Sequence, residues 1–349
     1  MGIKEIFDTA ASSERFKIND CINVESALSV EPSSLLRSMS QKFTTAEYKA
    51  FKQSIIRNSF FIEPVNDAIT STKFETRWSP HLRDDVRFAS FDTCYSIFLK
   101  LLNSVNNLSH DDFLIFKEFF NNTVIPYEMP SDYIDRLANP IHVSNNVALF
   151  LNDDIKKCIL VRKLLRSQTT NPAAEVFQTI LTDKIKVKTY LTDRALTGAY
   201  KTNREKRWET HPSSVQYALR RDCMKIETKL LLQVATFEGC PRDLVNNLQS
   251  QGLLPANFTY CKCPVTGDII KYDEFENDVL HPTHGKSKFQ VGHLNPLKAQ
   301  SMSNETSGHT VDNISWISED GNRIQGSLSI QEVNNMLKRI YINRPELHQ

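Results

Sequence analysis

The sequence lacks the features that mark membrane and secreted proteins. It has no run of about eighteen apolar residues, which argues against a transmembrane helix. Its first residues have no apolar stretch between a basic start and a cleavage site, so we expect no signal peptide. We also find no internal repeat and no low-complexity tract. These absences predict a soluble protein that does not bind membranes.

The cysteines lack the regular spacing of a disulfide framework. There are seven of them, an odd number, scattered through a chain of 349 residues. Most have apolar neighbours in the sequence, a pattern typical of buried free thiols in a reducing compartment. We therefore expect reduced cysteines and a cytoplasmic location.

Net charge is nearly absent, yet the cations are unevenly distributed. The formal charge is +1, whereas the segment from Lys184 to Lys225 holds eleven Lys and Arg against four Asp and Glu. Aromatic residues are interspersed among these cations: Tyr190, Tyr200, Trp208 and Tyr217. Cations follow a phosphate backbone, and hydroxyl and aromatic groups add contacts to it and to bases. The segment therefore favours DNA binding, with a solvated protein surface as the alternative.

Six cations of this segment are candidate DNA contacts. Four of them are dense enough to follow a phosphate backbone: Lys201, Arg204, Lys206 and Arg207. Arg220 and Arg221 lie near the start of a helix that Ser213 or Ser214 can cap. The first turns of a helix can enter the major groove, so we expect these two arginines to contact bases.

Helical periodicity dominates the first two thirds of the chain. Thr44 and Glu47 form a capping-box pattern, and apolar stripes follow over residues 86–105 and from Ser109 onward. Aromatic stripes at helical spacing are typical of a core. We predict three parts: a helical core domain over residues 1–170, a basic helical DNA-binding segment and linker over 171–255, and a third domain over 256–349.

The stretch from Lys288 to Gly326 has a different pattern, which predicts strand, loop, strand and helix. A short alternating segment ends at His293, a second strand-like run opens at Asn313, and the residues around Asn322 predict a helix. A His, an Asn and a second Asn thus fall at the end of one strand, at the start of the next and on the helix.

This order resembles the HNH, or ββα-metal, nucleases. Their common pattern has a His preceded by Asp, Gly or His, then an Asn at the second strand, and nine residues later a His or Asn on the helix. Here Gly292 precedes His293, and Asn313 and Asn322 are nine positions apart. The resemblance covers about 40 residues tightly. It implies an α+β fold class, with a mainly α-helical N-terminal region followed by a C-terminal ββα-metal (HNH) nuclease module.

The resemblance gives each of the three residues a role in phosphodiester hydrolysis. His293 is the expected general base, since imidazole titrates near neutral pH. Asn322 is the expected ligand of Mg²⁺ (or Mn²⁺), because Mg²⁺ prefers oxygen ligands and retains several waters. Asn313 is expected to hold the loop that orients the His ring, without contacting the substrate.

Two departures from the family pattern bear on metals. Gly292 stands where many members have an Asp, a variant that implies one weakly held Mg²⁺ with Asn322 as its only protein ligand. Many members also have two CxxC pairs that bind a structural zinc. The positions of the second pair are Ser318 and Gly321 here, and the first survives only as Cys261-Lys262-Cys263. We therefore do not expect that zinc.

A different zinc site stays open as an alternative. Paired thiolates and imidazoles are usual tetrahedral ligands, and the candidates are Cys261, Cys263, His281 and His284. The CxC spacing matches such sites poorly. His284 and Lys286 are alternatively phosphate contacts beside the first strand, and Arg323 could hold a phosphate by two parallel bonds near the scissile bond.

A last helix is expected from Ser329 to Asn343. Its apolar face predicts packing under the hairpin, and the residues of that face are Ile330, Val333, Met336, Leu337 and Ile340. We expect this helix to be structural.

The resemblance implies a Mg²⁺-dependent enzyme that cleaves double-stranded DNA at specific sequences. A large region without recognised domains, joined to an HNH module, is similar to type II restriction endonucleases of that class. The alternatives are a homing or phage HNH endonuclease, a protein that holds DNA without cutting it, and a ribonuclease. A homodimer is one option for the oligomeric state.

Overall fold

The computed structural model describes residues 2–12, 28–60, 63–64, 74–75, 78, 83–84, 88–122, 129, 153–167, 172–180, 220–283, 287–296 and 310–348. These residues divide into two compact units. The first takes the described residues up to Arg162 together with Arg220 and Arg221, and the second takes the others from Lys163 onward. Within the described residues, no helix combines the length and hydrophobicity needed to cross a bilayer.

The described residues are mostly helical, with two small antiparallel sheets, so the fold is α+β as predicted. The helices are α1 (Ile3–Ser12), α2 (Val30–Ser40), α3 (Thr45–Ser59), α4 (Phe91–Asn106), α5 (His110–Asn122), α6 (Asp153–Ser167), α7 (Pro172–Thr179), α8 (Arg220–Ala235), α9 (Arg242–Ser250), α10 (Tyr272–Leu280), α11 (Glu319–Gln325) and α12 (Ile330–Asn343). Strands β1 (Glu63–Pro64) and β2 (Phe74–Glu75) form one sheet, and β3 (Phe289–His293) and β4 (Ile314–Ser318) form the other.

Helix α3 in the first unit begins where the capping-box pattern predicts. The Thr44 hydroxyl accepts from the N–H of Glu47 at 3.3 Å, and the Glu47 carboxylate accepts from the N–H of Thr44 at 2.7 Å. Both bonds satisfy amides that have no partner within the helix. Glu47 also accepts from Nδ2 of Asn121 at 2.8 Å, which ties α3 to α5.

The aromatic stripes of the first unit form its core, as predicted. The ring of Phe43, just before α3, lies 5.1 Å from the rings of Phe51 and Phe113. Phe51 and Phe116 are fully buried. Aromatic rings bury large apolar areas, so these contacts stabilise the packing of α3 on α5.

Helix α4 is shorter than the apolar spacing over residues 86–105 predicts. It begins at Phe91, because the hydroxyl of Ser90 accepts from the N–H of Thr93 at 3.1 Å and so caps the helix there. The prediction that the helix begins at Val86 is therefore wrong, since residues 88–90 are not helical.

The second unit is organised around β3 and β4. Their register pairs His293 with Ile314. The ring of Trp316 packs against Phe275 of α10 with centroids 4.9 Å apart, and its Nε1 donates to the Leu230 carbonyl of α8 at 2.9 Å. A fully buried indole thus holds one face of the hairpin on two helices.

Asp278 of α10 fixes the start of β3. Its buried carboxylate accepts from the N–H of Lys288 at 2.9 Å, from the N–H of Phe289 at 3.4 Å and from the Ser287 hydroxyl at 3.2 Å. A buried carboxylate needs such donors to offset its lost hydration. The strand that ends at His293 is therefore anchored at its first residue.

The opposite face of the hairpin packs under α11 and the first turn of α12. Ile317 is fully buried there in a cluster with Cys263, Val265 and Val333, and Ile330 packs against the cluster. The apolar contacts of the hairpin thus lie on both of its faces.

Helix α12 departs from its predicted packing. Val333 is fully buried, but Leu337 and Ile340 are exposed by 38% and 41%. The helix has fourteen residues, and the small cluster around Ile317 is reached by its first turn alone. The prediction that the whole apolar face packs under the hairpin is therefore wrong for Leu337 and Ile340.

Candidate functional site

The candidate site lies on one continuous ββα unit, which we define as β3, β4 and α11. Strand β4 passes directly into α11, because Ser318 ends the strand and caps the helix by accepting from the N–H of Gly321 at 3.2 Å. The strand, strand and helix predicted from the sequence are therefore present and adjacent: His293 ends β3, Asn313 lies in the 3-10 turn just before β4, and Asn322 lies on α11.

His293 is the last residue of β3, and its side chain is half-buried. At one end of the ladder, the N–H of Glu319 donates to the Lys288 carbonyl at 2.7 Å. At the other end, the N–H of Leu294 donates to the Asn313 carbonyl at 2.8 Å. In an antiparallel sheet, pairs of residues that exchange hydrogen bonds alternate with pairs that do not. Leu294 and Asn313 form a bonded pair, so the neighbouring pair, His293 and Ile314, is a non-bonded one. The His293 carbonyl therefore points to the outer edge of β3, away from β4.

Asn313 is buried in the short 3-10 turn, Val311–Asn313, that precedes β4. Its Oδ1 accepts from the N–H of Asn295 at 2.7 Å, and its Nδ2 donates to the Asn295 carbonyl at 2.9 Å. The side-chain amide thus pairs with both backbone groups of one residue. This pairing fixes the backbone two residues after His293.

Gln325 holds the same segment from the other side. It is the last residue of α11 and is 3% exposed, and its Nε2 lies 2.9 Å from the carbonyls of both His293 and Leu294. The sequence gives no signal for this contact, because a Gln at a helix end is ordinary. Asn313 and Gln325 together bond to the backbone of three consecutive residues, His293, Leu294 and Asn295.

Asn322 is exposed on α11, one turn before Gln325. Its Nδ2 donates to Oε1 of Gln290 in β3 at 3.3 Å. This bond uses the amide nitrogen and leaves the amide oxygen as the group that can bind a hard cation. The donor set fits one Mg²⁺ that keeps most of its water.

Gly292 faces α11, and a side chain there would have to displace Ile317. A Cβ at this position would lie 2.6 Å from Cδ1 of Ile317. Ile317 is fully buried, so its side chain cannot turn away into solvent. A side chain at position 292 would thus compete with Ile317 for space.

The region of Cys261 and Cys263 has its own contacts. The Cys263 sulfur accepts a hydrogen bond from the Ser318 hydroxyl at 3.2 Å. Burial raises the pKa of the Cys263 thiol, but hydrogen bonds with Ser318 and Thr266 outweigh burial, so the pKa lies below its ordinary value. Burial raises the pKa of Cys261 to about 11. Among the described residues, no group of three or more His, Cys, Asp or Glu could hold a metal ion. Of the two histidine candidates, His281 is exposed and His284 lies outside the described residues.

Lys229 of α8 supports the turn before β4. Its Nζ donates to the Val311 carbonyl at 2.7 Å. Burial lowers the pKa of Lys229, against the attraction of Asp312, which raises it. No sequence pattern predicts this contact, since Lys229 lies in the middle of α8, about two turns after its first residue, Arg220.

The candidate DNA contacts are only partly described. Arg323 is exposed on α11, forms an ion pair with Glu319 and lies 3.9 Å from Asp320, an arrangement that solvent weakens. Arg220 and Arg221 are the first residues of α8, and their side chains are outside the description. The following candidates also lie outside the described residues: His284, Lys286, Lys201, Arg204, Lys206 and Arg207.

Comparison with known proteins gives little beyond this geometry. No family model and no curated protein matches the chain. One solved structure, described as a crystal structure of a type II restriction endonuclease, aligns with 54% of this chain and 77% of its own, at 16% identity and a TM-score of 0.29. The evidence on function is therefore the geometry of the ββα unit.

Proposed function

We propose that the chain is a Mg²⁺-dependent endonuclease of the HNH class that hydrolyses phosphodiester bonds in double-stranded DNA. The observation that supports this most is the joint restraint of His293 and α11. Two buried amide side chains, Asn313 and Gln325, bond to the backbone at and after His293, and Gln325 shares its short helix with Asn322. These bonds would hold the backbone of the proposed base and the helix of the proposed metal ligand together.

His293 is proposed as the general base. An imidazole that is neutral near pH 7 can take a proton from an attacking water, and this is worth typically 10²- to 10⁴-fold in rate. Its half-buried position at a strand end keeps the ring reachable while the backbone is fixed. Asn313 is proposed to act through that backbone, as a positioning residue.

Asn322 is proposed as the only protein ligand of the cation. When bound, Mg²⁺ would stabilise negative charge on the phosphorane and on the leaving oxygen. Gln290 accepts from the amide nitrogen of Asn322 and so directs the amide oxygen to the cation. Gly292 supplies no second ligand, which predicts weak metal binding in the absence of DNA.

The proposed substrate is double-stranded DNA that is cut at a specific sequence. We infer double-stranded DNA as the substrate from the basic, aromatic segment between Lys184 and Lys225. By its resemblance to type II restriction endonucleases, the chain would cut at a specific sequence and belong to a restriction-modification system. Sequence-specific cutting is the property that separates this proposal from a non-specific nuclease.

A parallel digestion tests the function. Plasmid DNA and a structured RNA are incubated with the protein in Mg²⁺ and in EDTA, and the ends of any DNA products are mapped on the sequenced plasmid. We expect Mg²⁺-dependent cuts at one short sequence, and at least about 10²-fold slower cutting by His293→Ala with DNA affinity unchanged. Cleavage of RNA alone would support a ribonuclease. DNA binding without cuts would support a binding protein.

A further inference from the structure

The outer edge of β3 ends in a backbone acceptor that does not bond to β4. The carbonyl of His293 points away from β4, and among the described residues no third strand extends this sheet. A carbonyl in that position would ordinarily bond to water. Water bonds leave the end of an edge strand free to move by local fraying.

Gln325 covers this acceptor instead. Its Nε2 carries two hydrogens, and both neighbouring acceptors, the carbonyls of His293 and Leu294, lie 2.9 Å away. The Leu294 carbonyl has a second donor, the N–H of Ile330 at 3.1 Å. Loss of Gln325 would therefore leave the Leu294 carbonyl with one hydrogen bond.

Gln325 also fixes a relation between two elements. Residues three apart on a helix lie on neighbouring positions of one face, so Gln325 and Asn322 share a face of α11. The helix that carries the metal ligand thus bonds directly to the residue that carries the base. Asn313, the motif residue, holds Asn295.

We propose that Gln325 is a positioning residue that sets the distance between His293 and Asn322; the proposal rests on the proposed nuclease function. The base and the cation must act on opposite sides of one phosphate, so an error of about 1 Å in this distance can cost on the order of 10²-fold in rate. Gln325 makes no contact with substrate in this role.

The test compares Gln325→Met with Gln331→Met. Met keeps the length of Gln but cannot donate, and Gln331 is an exposed Gln on α12 whose amide bonds only within that helix, to Asn335. Two quantities are measured: kcat and KM for plasmid cleavage in Mg²⁺, and the hydrogen exchange of the Leu294 and Asn295 amides in protein without DNA or metal. For Gln325→Met we expect kcat lower by about 10²-fold with KM within about twofold, and exchange at least about tenfold faster. Gln331→Met should match wild type in both.

A second variant tests the same hydrogen bond in case Gln325→Met does not fold. Gln325→Glu keeps the shape and polarity, but its carboxylate cannot donate a hydrogen bond. We expect fast exchange at neutral pH and recovered protection as the pH falls through the pKa of the new carboxyl, since the protonated acid donates one bond.

The outcomes separate the two proposals. Unchanged exchange in both Gln325 variants, or faster exchange with kcat within about twofold of wild type, overturns the role of Gln325 and leaves the nuclease function intact. A wild-type protein that cuts neither DNA nor RNA overturns the nuclease function and, with it, the catalytic meaning of this contact.

Discussion

At Gly292, an added Cβ would lie 2.6 Å from Cδ1 of Ile317, a separation that real structures do not tolerate. Ile317 is fully buried among Cys263, Val265 and Val333, so Ile317 and its neighbours in this cluster would have to move to remove the clash. A side chain at position 292 is therefore limited by a packing contact with the other strand.

This contact predicts a specific pair of mutations. Gly292→Ala should destabilise the protein by about 1–3 kcal/mol through overpacking. Ile317→Val removes the conflicting Cδ1 and should cost about 0.5–1.5 kcal/mol alone. The double variant should cost clearly less than the sum, and urea unfolding of all four proteins measures this coupling. Additive losses would mean that the two residues do not compete for the same space.

The Asn322 amide predicts a graded response to Mg²⁺. Asn322→Ala should abolish the dependence of the residual rate on Mg²⁺ concentration. Gln290→Met removes the acceptor for the Asn322 amide, and the loss of about 1 kcal/mol should raise the Mg²⁺ concentration for half-maximal rate on the order of fivefold. Gln290→Glu keeps the acceptor and adds negative charge, so it should lower that concentration. A Mg²⁺ titration of Asn322→Ala that overlays wild type would place the cation elsewhere.

Among the elements, α3 gives the clearest dependence on pH. Burial raises the pKa of Glu47, but hydrogen bonds from Thr44, Asn121 and Lys117 outweigh burial and hold the pKa below its ordinary value of 4.5. A lowered folded-state pKa means that Glu47 stabilises the fold above about pH 4.5 and that this stability is lost as the pH falls through the folded pKa.

Glu47→Gln should therefore cost about 1 kcal/mol at pH 7 and progressively less in acid. Calorimetry of the wild type and the variant at pH 7 and pH 3 measures the difference. A cost that stays constant between these two values would show that the charge of Glu47 does not contribute.

Local signals explain what the sequence predicts well at this scale. The capping box at Thr44 and Glu47 depends on residues three apart, and the ββα order depends on spacing within one stretch, so both follow from the sequence. The contact of Gln325 with His293 depends on how α11 crosses the hairpin, which no local pattern encodes. The apolar stripe of α12 likewise predicts an apolar face but not what covers it.

At the scale of the whole molecule, DNA recognition stays a prediction. The four phosphate candidates, Lys201, Arg204, Lys206 and Arg207, lie outside the described residues. Each phosphate contact contributes about 0.9 to the slope of log affinity against log salt concentration. Replacing all four by Gln should therefore flatten the slope by up to about four units and weaken binding to all sequences alike.

The control replaces two exposed cations of α12, Lys338 and Arg339, by Gln. This variant should keep the wild-type slope if α12 lies away from the DNA. An unchanged slope in the quadruple variant would identify the basic segment as a solvated face and move the search for recognition to the helical first unit.

The contact between Gly292 and Ile317 also restricts how this protein can evolve. A GGT or GGC glycine codon becomes an aspartate codon by one nucleotide change, and that change would place an acidic side chain directly before His293. In this fold the new side chain meets the terminal methyl group of the buried Ile317, so we expect the change to cost less stability after Ile317 has been exchanged for a smaller residue. The order in which the two mutations arise thus affects the stability of the intermediate.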